Sequence, residues 1–178
     1  EETFFHHGFN DVEILSDGRI LAAGFLQEGG GLSSPQQSVL LARFNPSGTL
    51  DESFGDQGII VWETQEWFSN ILQIRQLASG EILLAGEVQQ EDDRNQRRVA
   101  LWQIFLDGTL DPDFGNNGRK QLIFPNSRKH EFYSFEIDGA GNILVFGSGI
   151  ASGHKTFIAR FHPSGPVSYT HLTLPTTL

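Results

Sequence analysis

The chain has no cysteine and no methionine among its 178 residues. Without cysteine there are no disulfides and no thiolate metal sites, although the compartment stays open. Without a methionine at position 1, the first residue is not expected to be a translation start. The N-terminal Glu1-Glu2-Thr3-Phe4-Phe5 has neither the basic nor the apolar region of a signal peptide, which a longer parent can have lost. No apolar run approaches the ~20 residues of a membrane-spanning helix. Basic residues are scarce, 12 Lys and Arg against 22 Asp and Glu, for a formal charge of −10. Phosphate binding needs a basic footprint, so nucleic acid is excluded as a partner. No segment holds a 3.6-residue period, so a helical fold is excluded too, and the class is all-β. The 15 phenylalanines argue against a disordered chain.

What the chain does have is a repeat. Leu41-Ala-Arg-Phe-Asn-Pro-Ser-Gly-Thr-Leu-Asp-Glu-Ser-Phe-Gly-Asp-Gln-Gly58 returns as Leu101-Trp-Gln-Ile-Phe-Leu-Asp-Gly-Thr-Leu-Asp-Pro-Asp-Phe-Gly-Asn-Asn-Gly118. A third copy starts at Ile158-Ala-Arg-Phe-His-Pro-Ser-Gly165 and stops there. A second block, Asp17-Gly-Arg-Ile-Leu-Ala-Ala-Gly24, recurs at Ser79–Gly86 and Ala140–Gly147, with closing glycines 62 and 61 residues apart. A fixed period of this size signals a repeat architecture and replaces a domain count based on length.

Each unit reads as four strands. Strand A (Val12–Leu15, Leu72–Arg75, Phe135–Ile137) alternates apolar and polar residues, as a half-buried strand does. The Asp17-Gly18 type of turn leads into strand B (Ile20–Phe25, Ile143–Phe146), which is almost wholly apolar. Strand C (Val39–Phe44, Val99–Phe105, Thr156–Phe161) is apolar as well. Such runs suit strands covered on both faces by neighbouring units. Strand D follows the long signature, at Ile59–Trp62 and Arg119–Phe124, with a short helical turn conceivable at Leu50–Phe54 or Leu110–Phe114. In a meander of this kind the A–B and C–D connections share one end and the B–C and D–A connections the other. The first set is uniform among the copies. The second varies (26–38, 87–98 and 148–155; 63–69 and 125–132), and recognition on repeat scaffolds concentrates in variable loops.

These blocks resemble the delta-60 repeat family of bacterial proteins, over nearly all of residues 9–165. Gln103 departs from the arginine that Arg43 and Arg160 supply. The resemblance implies a β-propeller-like array of four-stranded blades, a fragment of a larger propeller, at the cell surface or secreted. It implies no reaction. The expected division is the end of a preceding blade at 1–8, blades at 9–68 and 69–132, and a truncated blade at 133–165. Pro166–Leu178 breaks the repeat where Thr-Leu-Asp is due, and Ser168–Thr176 resembles translated sequencing adapter. Residues 166–178 are therefore expected to have no native role, although Val167–Leu174 is β-prone enough to lie as a surrogate edge strand.

Residue by residue, most polar groups have a structural reading. Asp51 and Asp111 begin Leu-Asp-x-[Ser/Asp]-Phe-Gly. They read as Asx-type turns closed by Gly48, Gly55, Gly108 and Gly115 and anchored by Phe54 and Phe114. A calcium loop using Asp56, Asp113, Asn116 and Asn117 is the alternative, against which the spacing departs from known calcium loops. Arg43 and Arg160 are expected to pair with a carboxylate such as Asp51. Glu13, Arg75 and Glu136 share one position on strand A and either line a central channel or lie at a solvated edge. His6, His7, His130, His154 and His162 show no metal-ligand spacing, and Gly147-Ser148-Gly149 is not a nucleophile elbow. The residues assigned to ligand contact are Trp67 and Phe68 in the first D–A loop and Arg94 and Arg97 in the second B–C loop.

No acid–base constellation stands out from the repeats, so the expectation is a non-catalytic binding or adhesion scaffold without cofactor or metal. Its partner would be a surface polymer, glycan or protein. The alternatives are a piece of a propeller enzyme, such as a glycan lyase or hydrolase with its chemistry in further blades, and a purely structural array.

Overall fold

A computed structural model of the chain describes residues 4–29, 37–62, 68–89, 96–122, 129–150, 154–162 and 167–170. Among the described residues, twelve strands run in chain order through three antiparallel meanders. The first holds β1 (Phe4–Ile14), β2 (Ile20–Gly29), β3 (Gln37–Phe44) and β4 (Ile59–Trp62). The second holds β5 (Phe68–Gln76), β6 (Ile82–Gln89), β7 (Arg97–Ile104) and β8 (Arg119–Leu122). The third holds β9 (Lys129–Ile137), β10 (Ile143–Ile150), β11 (His154–Phe161) and β12 (Val167–Thr170). No helix occurs among the described residues. The short helical turn conceived at Leu50–Phe54 is one hydrogen-bonded turn, Phe54 N to Asp51 O at 3.0 Å.

The inner strands are longer than their alternation suggests. β1 starts at Phe4 rather than Val12 because its whole length pairs with β2, from Phe4↔Gly29 to Ile14↔Ile20. That ladder contains one bulge, between Phe9 and Asp11, and the bulge recurs between Ile71 and Gln73 and opposite Phe146/Gly147. The closing glycines of the second sequence block face it. A Cβ on Gly24 would overlap Gly8 O, one on Gly86 would overlap Asn70 O, and one on Gly147 would overlap Glu131 O. The bulge drives one strand into its neighbour, and only a residue without a side chain leaves room.

The core lies between the meanders. Strands β3 and β6 are buried on both faces, as apolar runs require. Leu21, Leu41 and Phe54 of the first meander pack with Ile74, Leu84 and Trp102 of the second. Leu83, Leu101 and Phe114 of the second pack with Phe135, Val145 and Phe157 of the third. Each such side chain contributes about 1.5–3 kcal/mol by leaving water. Alternation along β6 thus assigns Leu84 to one neighbour and Leu83 to the other.

Polar groups then fix the register between neighbours. Asp11 stands just after the first bulge and its Oδ2 accepts the N–H of Ile74 at 2.9 Å. Gln73, just after the second bulge, accepts the N–H of Phe135 at 2.8 Å. One repeat position therefore clamps each sheet to the next by a side chain on a backbone amide. Glu13 adds a bond from Gln76 N at 3.1 Å and an ion pair with Arg75 at 3.3 Å. Glu136, at the same position in the third meander, is exposed.

In the third meander, β12 lies beside β11, but it pairs with Ile158–Phe161. The repeat equivalents of those residues are Leu41–Phe44, whereas β4 pairs with Val39–Ala42. β12 is thus two residues out of step along β11. In the other meanders that stretch belongs to the signature loop, through Asp51 N to Arg43 O and Arg43 N to Gly58 O, both 2.9 Å.

Candidate functional site

The two ends of the meanders are built differently. At the end carrying the A–B and C–D connections, the described turns repeat the same backbone hydrogen bonds. Leu15 N, Leu77 N and Asp138 N reach Arg19 O, Glu81 O and Asn142 O at 2.8, 2.8 and 2.9 Å. Asn45 N and Phe105 N reach Thr49 O and Thr109 O at 2.8 and 2.9 Å, putting Gly48 and Gly108 at φ 87° and 89°. The signature loop then turns through Gly55 at φ 55° and Gly115 at φ 64°, where a side chain would be strained. Gln57 and Asn117 share that left-handed conformation, at φ 49° and 50°.

Asp51 is the hub of the first loop. Its Oδ1 accepts Ser53 Oγ at 2.6 Å and Ser53 N at 3.1 Å, the Asx-turn geometry. Its Oδ2 accepts Arg43 Nε at 2.8 Å and Arg19 Nη1 at 3.1 Å. The Ser53 hydroxyl, with Arg19, the Ser53 amide and Arg43 behind it, holds the Asp51 carboxyl well below the usual range against the opposing effect of burial. Arg43, 3 % exposed, lies 4.4 Å over the Phe54 ring and gives Nη1 to Leu106 O in the next meander. Phe54 and Phe114 are both buried, and Gly108 of the second meander presses on the Phe54 ring.

The second loop keeps the arrangement with a neutral donor. Gln103 Nε2 gives to Asp111 Oδ2 at 2.7 Å, and Asp111 Oδ1 accepts Asp113 N at 3.0 Å. Glutamine is too short to repeat the bridge that Arg43 makes. In the third copy Arg160 turns instead to Asp138 at 2.6 Å, with its side chain 54 % exposed. Asn142 first, and Arg160 less, hold the Asp138 carboxyl well below its ordinary range. Asp17 is lowered by Arg19 and Asp107 by Thr109, while burial lowers Lys120, 5.0 Å from the Phe114 ring.

The opposite end holds the strand ends that flank the B–C and D–A connections. The parallel bridge Gln37↔Phe68 joins the start of β3 to the start of β5. Several polar side chains near these strand ends are buried: Gln37, Ser69, Glu87, Gln89, His130 and Ser148. Glu87 Oε1 accepts the N–H of Phe132 at 2.9 Å, and Oε2 pairs with Arg97 Nη1 at 3.2 Å. His130 Nδ1 lies 3.0 Å from Arg97 O, and Ser148 Oγ gives to Glu131 Oε2 at 3.2 Å.

Of the residues assigned to ligand contact, Trp67 and Arg94 lie outside the described residues. Phe68 opens β5, its backbone paired with Gln89 and Gln37. Arg97 stands on the rim with its guanidinium on Glu87. Sequence reasoning had placed Glu87 in a loop. β6 in fact continues through Gln89, because β7 pairs with it up to Gln89↔Arg97. The signal was a polar residue directly after the closing glycine, at Glu87 and Ser148.

Among the described residues no three His, Asp or Glu side chains gather as a metal site, and no helix is long and apolar enough to cross a membrane. Among curated proteins the chain has no match. Residues 15–54 and 77–114 match a family described as a domain of unknown function, DUF5122 beta-propeller. Each stretch runs from the A–B turn through strands B and C to the anchoring phenylalanine, once in each of the first two meanders. The chain is an all-β, propeller-like repeat array, similar over these two stretches to the DUF5122 β-propeller family.

Proposed function

We propose that the chain is a non-catalytic binding scaffold of the delta-60 repeat type, part of a secreted or cell-surface protein, with its ligand at the rim of B–C and D–A connections. One observation carries the reading: the division of labour between the two ends. At the A–B and C–D end, three A–B turns and two C–D turns repeat the same backbone hydrogen bonds among the described residues. The connections that differ in length and sequence join strand ends at the other end, and those strand ends carry buried polar side chains. A framework end and a variable end are what a recognition scaffold needs. The repeating polar groups already hold structure: Asp51 its turn, Asp11 and Gln73 the next blade, Glu87 the amide of Phe132. The ligand class is a surface polymer or glycan, to which Trp67 and Phe68 offer aromatic faces and Arg94 and Arg97 charge. Residues 166–178 have no part in it, in keeping with the displaced register of β12.

The test is a glycan and surface-polymer array probed with the chain, its Trp67→Ala variant, and Ser47→Ala at the opposite end. Trp67→Ala is expected to weaken the bound species about tenfold or more, the scale of a lost aromatic contact, and Ser47→Ala to leave binding unchanged. Weakening by Ser47→Ala alone would place the ligand at the wrong end and sink the proposal.

A further inference from the structure

The signature loop occurs twice in full, and its two copies differ at a position that carries chemistry. Gln57-Gly58 in the first becomes Asn117-Gly118 in the second, the one Asn-Gly pair in the chain. The backbone nitrogen of the following residue attacks an asparagine side chain and closes a five-membered imide. Glycine in second place leaves that nitrogen unshielded. A glutamine must close a six-membered ring instead and does so far more slowly.

The fold holds the pair away from this reaction. Asn117 is exposed and sits at φ 50°, in the left-handed region. Backbone of that kind turns the Gly118 nitrogen to the side opposite Cβ, whereas ring closure needs the two on the same side. The Gly118 N–H is also given to Phe114 O at 2.9 Å, and the nitrogen must lose that proton to attack. Gly118 is buried, its O accepts Gln103 N at 3.1 Å, and Asn116 N reaches Arg119 O at 2.8 Å. These bonds fasten the pair to β7 and to the start of β8.

We propose that Asn117-Gly118 is a self-modification site gated by its own loop: closed it is protected, open it converts and does not close again. On opening, Gly118 N bonds to Asn117 Cγ, the Cγ–Nδ2 bond breaks, and ammonia leaves carrying the amide proton. Water then opens the imide. Attack at one carbonyl leaves aspartate, and at the other isoaspartate, whose side-chain carbon has entered the main chain. Either product adds a negative charge to a chain already at −10. Isoaspartate also lengthens the backbone by one carbon between Asn116 N and Gly118 N, both of which are bonded. The loop has no slack for it, since even a Cβ on Gly118 would lie 2.7 Å from Leu110 Cβ. The second blade thus keeps a one-way record of opening. The first does not, although Gln57 has φ 49° and Gly58 N reaches Phe54 O at 2.8 Å.

Peptide mass spectrometry of the full chain, held at mildly alkaline pH across a urea series, reads the conversion. Asn117 is expected to convert at least about tenfold more slowly in the folded chain than in the unfolded one, with the rate following the open fraction. In the unfolded chain it should convert before any other asparagine, with Gln57 intact over the same period. Returned to buffer, the converted chains should unfold at lower urea than untreated wild type. Asn117→Gln, which restores the residue of the first copy, should pass through the same treatment with its midpoint unchanged. Equal rates in folded and unfolded chains, or converted chains that regain the original midpoint, overturn the proposal.

Discussion

Replacing Gly86 by alanine adds one carbon at the bulge of the second blade. Its Cβ would overlap the carbonyl oxygen of Asn70, with Ile71 Cα 3.0 Å away. Both are backbone atoms, so no rotamer change relieves the overlap and β5 must move off β6. Overpacking of this kind costs about 1–3 kcal/mol, and backbone opposition argues for the upper end. A second loss follows, because Gln73 sits just past the bulge and is aimed by it at Phe135 N, 2.8 Å away. That hydrogen bond adds about 0.5–1.5 kcal/mol, for a sum of about 1.5–4.5 kcal/mol. Two other glycines separate the causes. Gly80 has open space but φ 108°, and its alanine variant should lose about 1–2 kcal/mol through the backbone alone. Gly139 has open space and no positive φ, so alanine there should be neutral or gain up to about 1 kcal/mol. Urea unfolding by circular dichroism gives the three midpoints and m-values. If Gly86→Ala unfolds at the midpoint of Gly139→Ala, the close approach at the bulge is not what the glycine serves.

Phe54→Ala should cost about 3–5 kcal/mol in the same assay, because the ring is fully buried under Arg43 and Gly108. Arg43→Gln should cost less than Arg43→Ala, since Gln103 shows that an amide still serves the aspartate, while only the arginine reaches Leu106 O and Ser53 Oγ; equal midpoints would refute this. Asp51 and Asp138 have lowered folded-state pKa values. Their stabilisation is complete above the unfolded aspartate value of about 3.9 and is lost as pH falls below it. Acid unfolding monitored by tryptophan fluorescence should therefore shift in Asp51→Asn, and an unchanged acid midpoint would show that the carboxylate contributes nothing.

The repeat, the strand order and the Arg43–Asp51 pair were legible because each rests on local chemistry: glycine spacing, apolar runs, and a charge eight residues from its opposite. The inner strand was legible only in part. Alternation at Val12-Glu13-Ile14 states that one face is apolar, and it carries no information on whether a neighbour exists to cover that face. The bulge shifted the rest. It puts the residues before Asp11 and Gln73 out of phase, while Asp11 and Gln73 stay in step with Glu13 and Arg75; their role in clamping the next blade was not visible because the amides they accept lie 63 and 62 residues away. At the candidate rim, the polar residues after the closing glycines looked like the start of loops, since burial of a glutamate such as Glu87 depends on an amide 45 residues away.

The clamp after the bulge falls on an aspartate at the first junction and on a glutamine, one methylene longer, at the second, with bonds of 2.9 and 2.8 Å. In both cases the donor is a backbone amide, which every residue except proline supplies. The strand that receives the clamp can therefore change its side chains from blade to blade without losing the bond, so that the register between neighbours survives divergence of the repeats everywhere but at a proline.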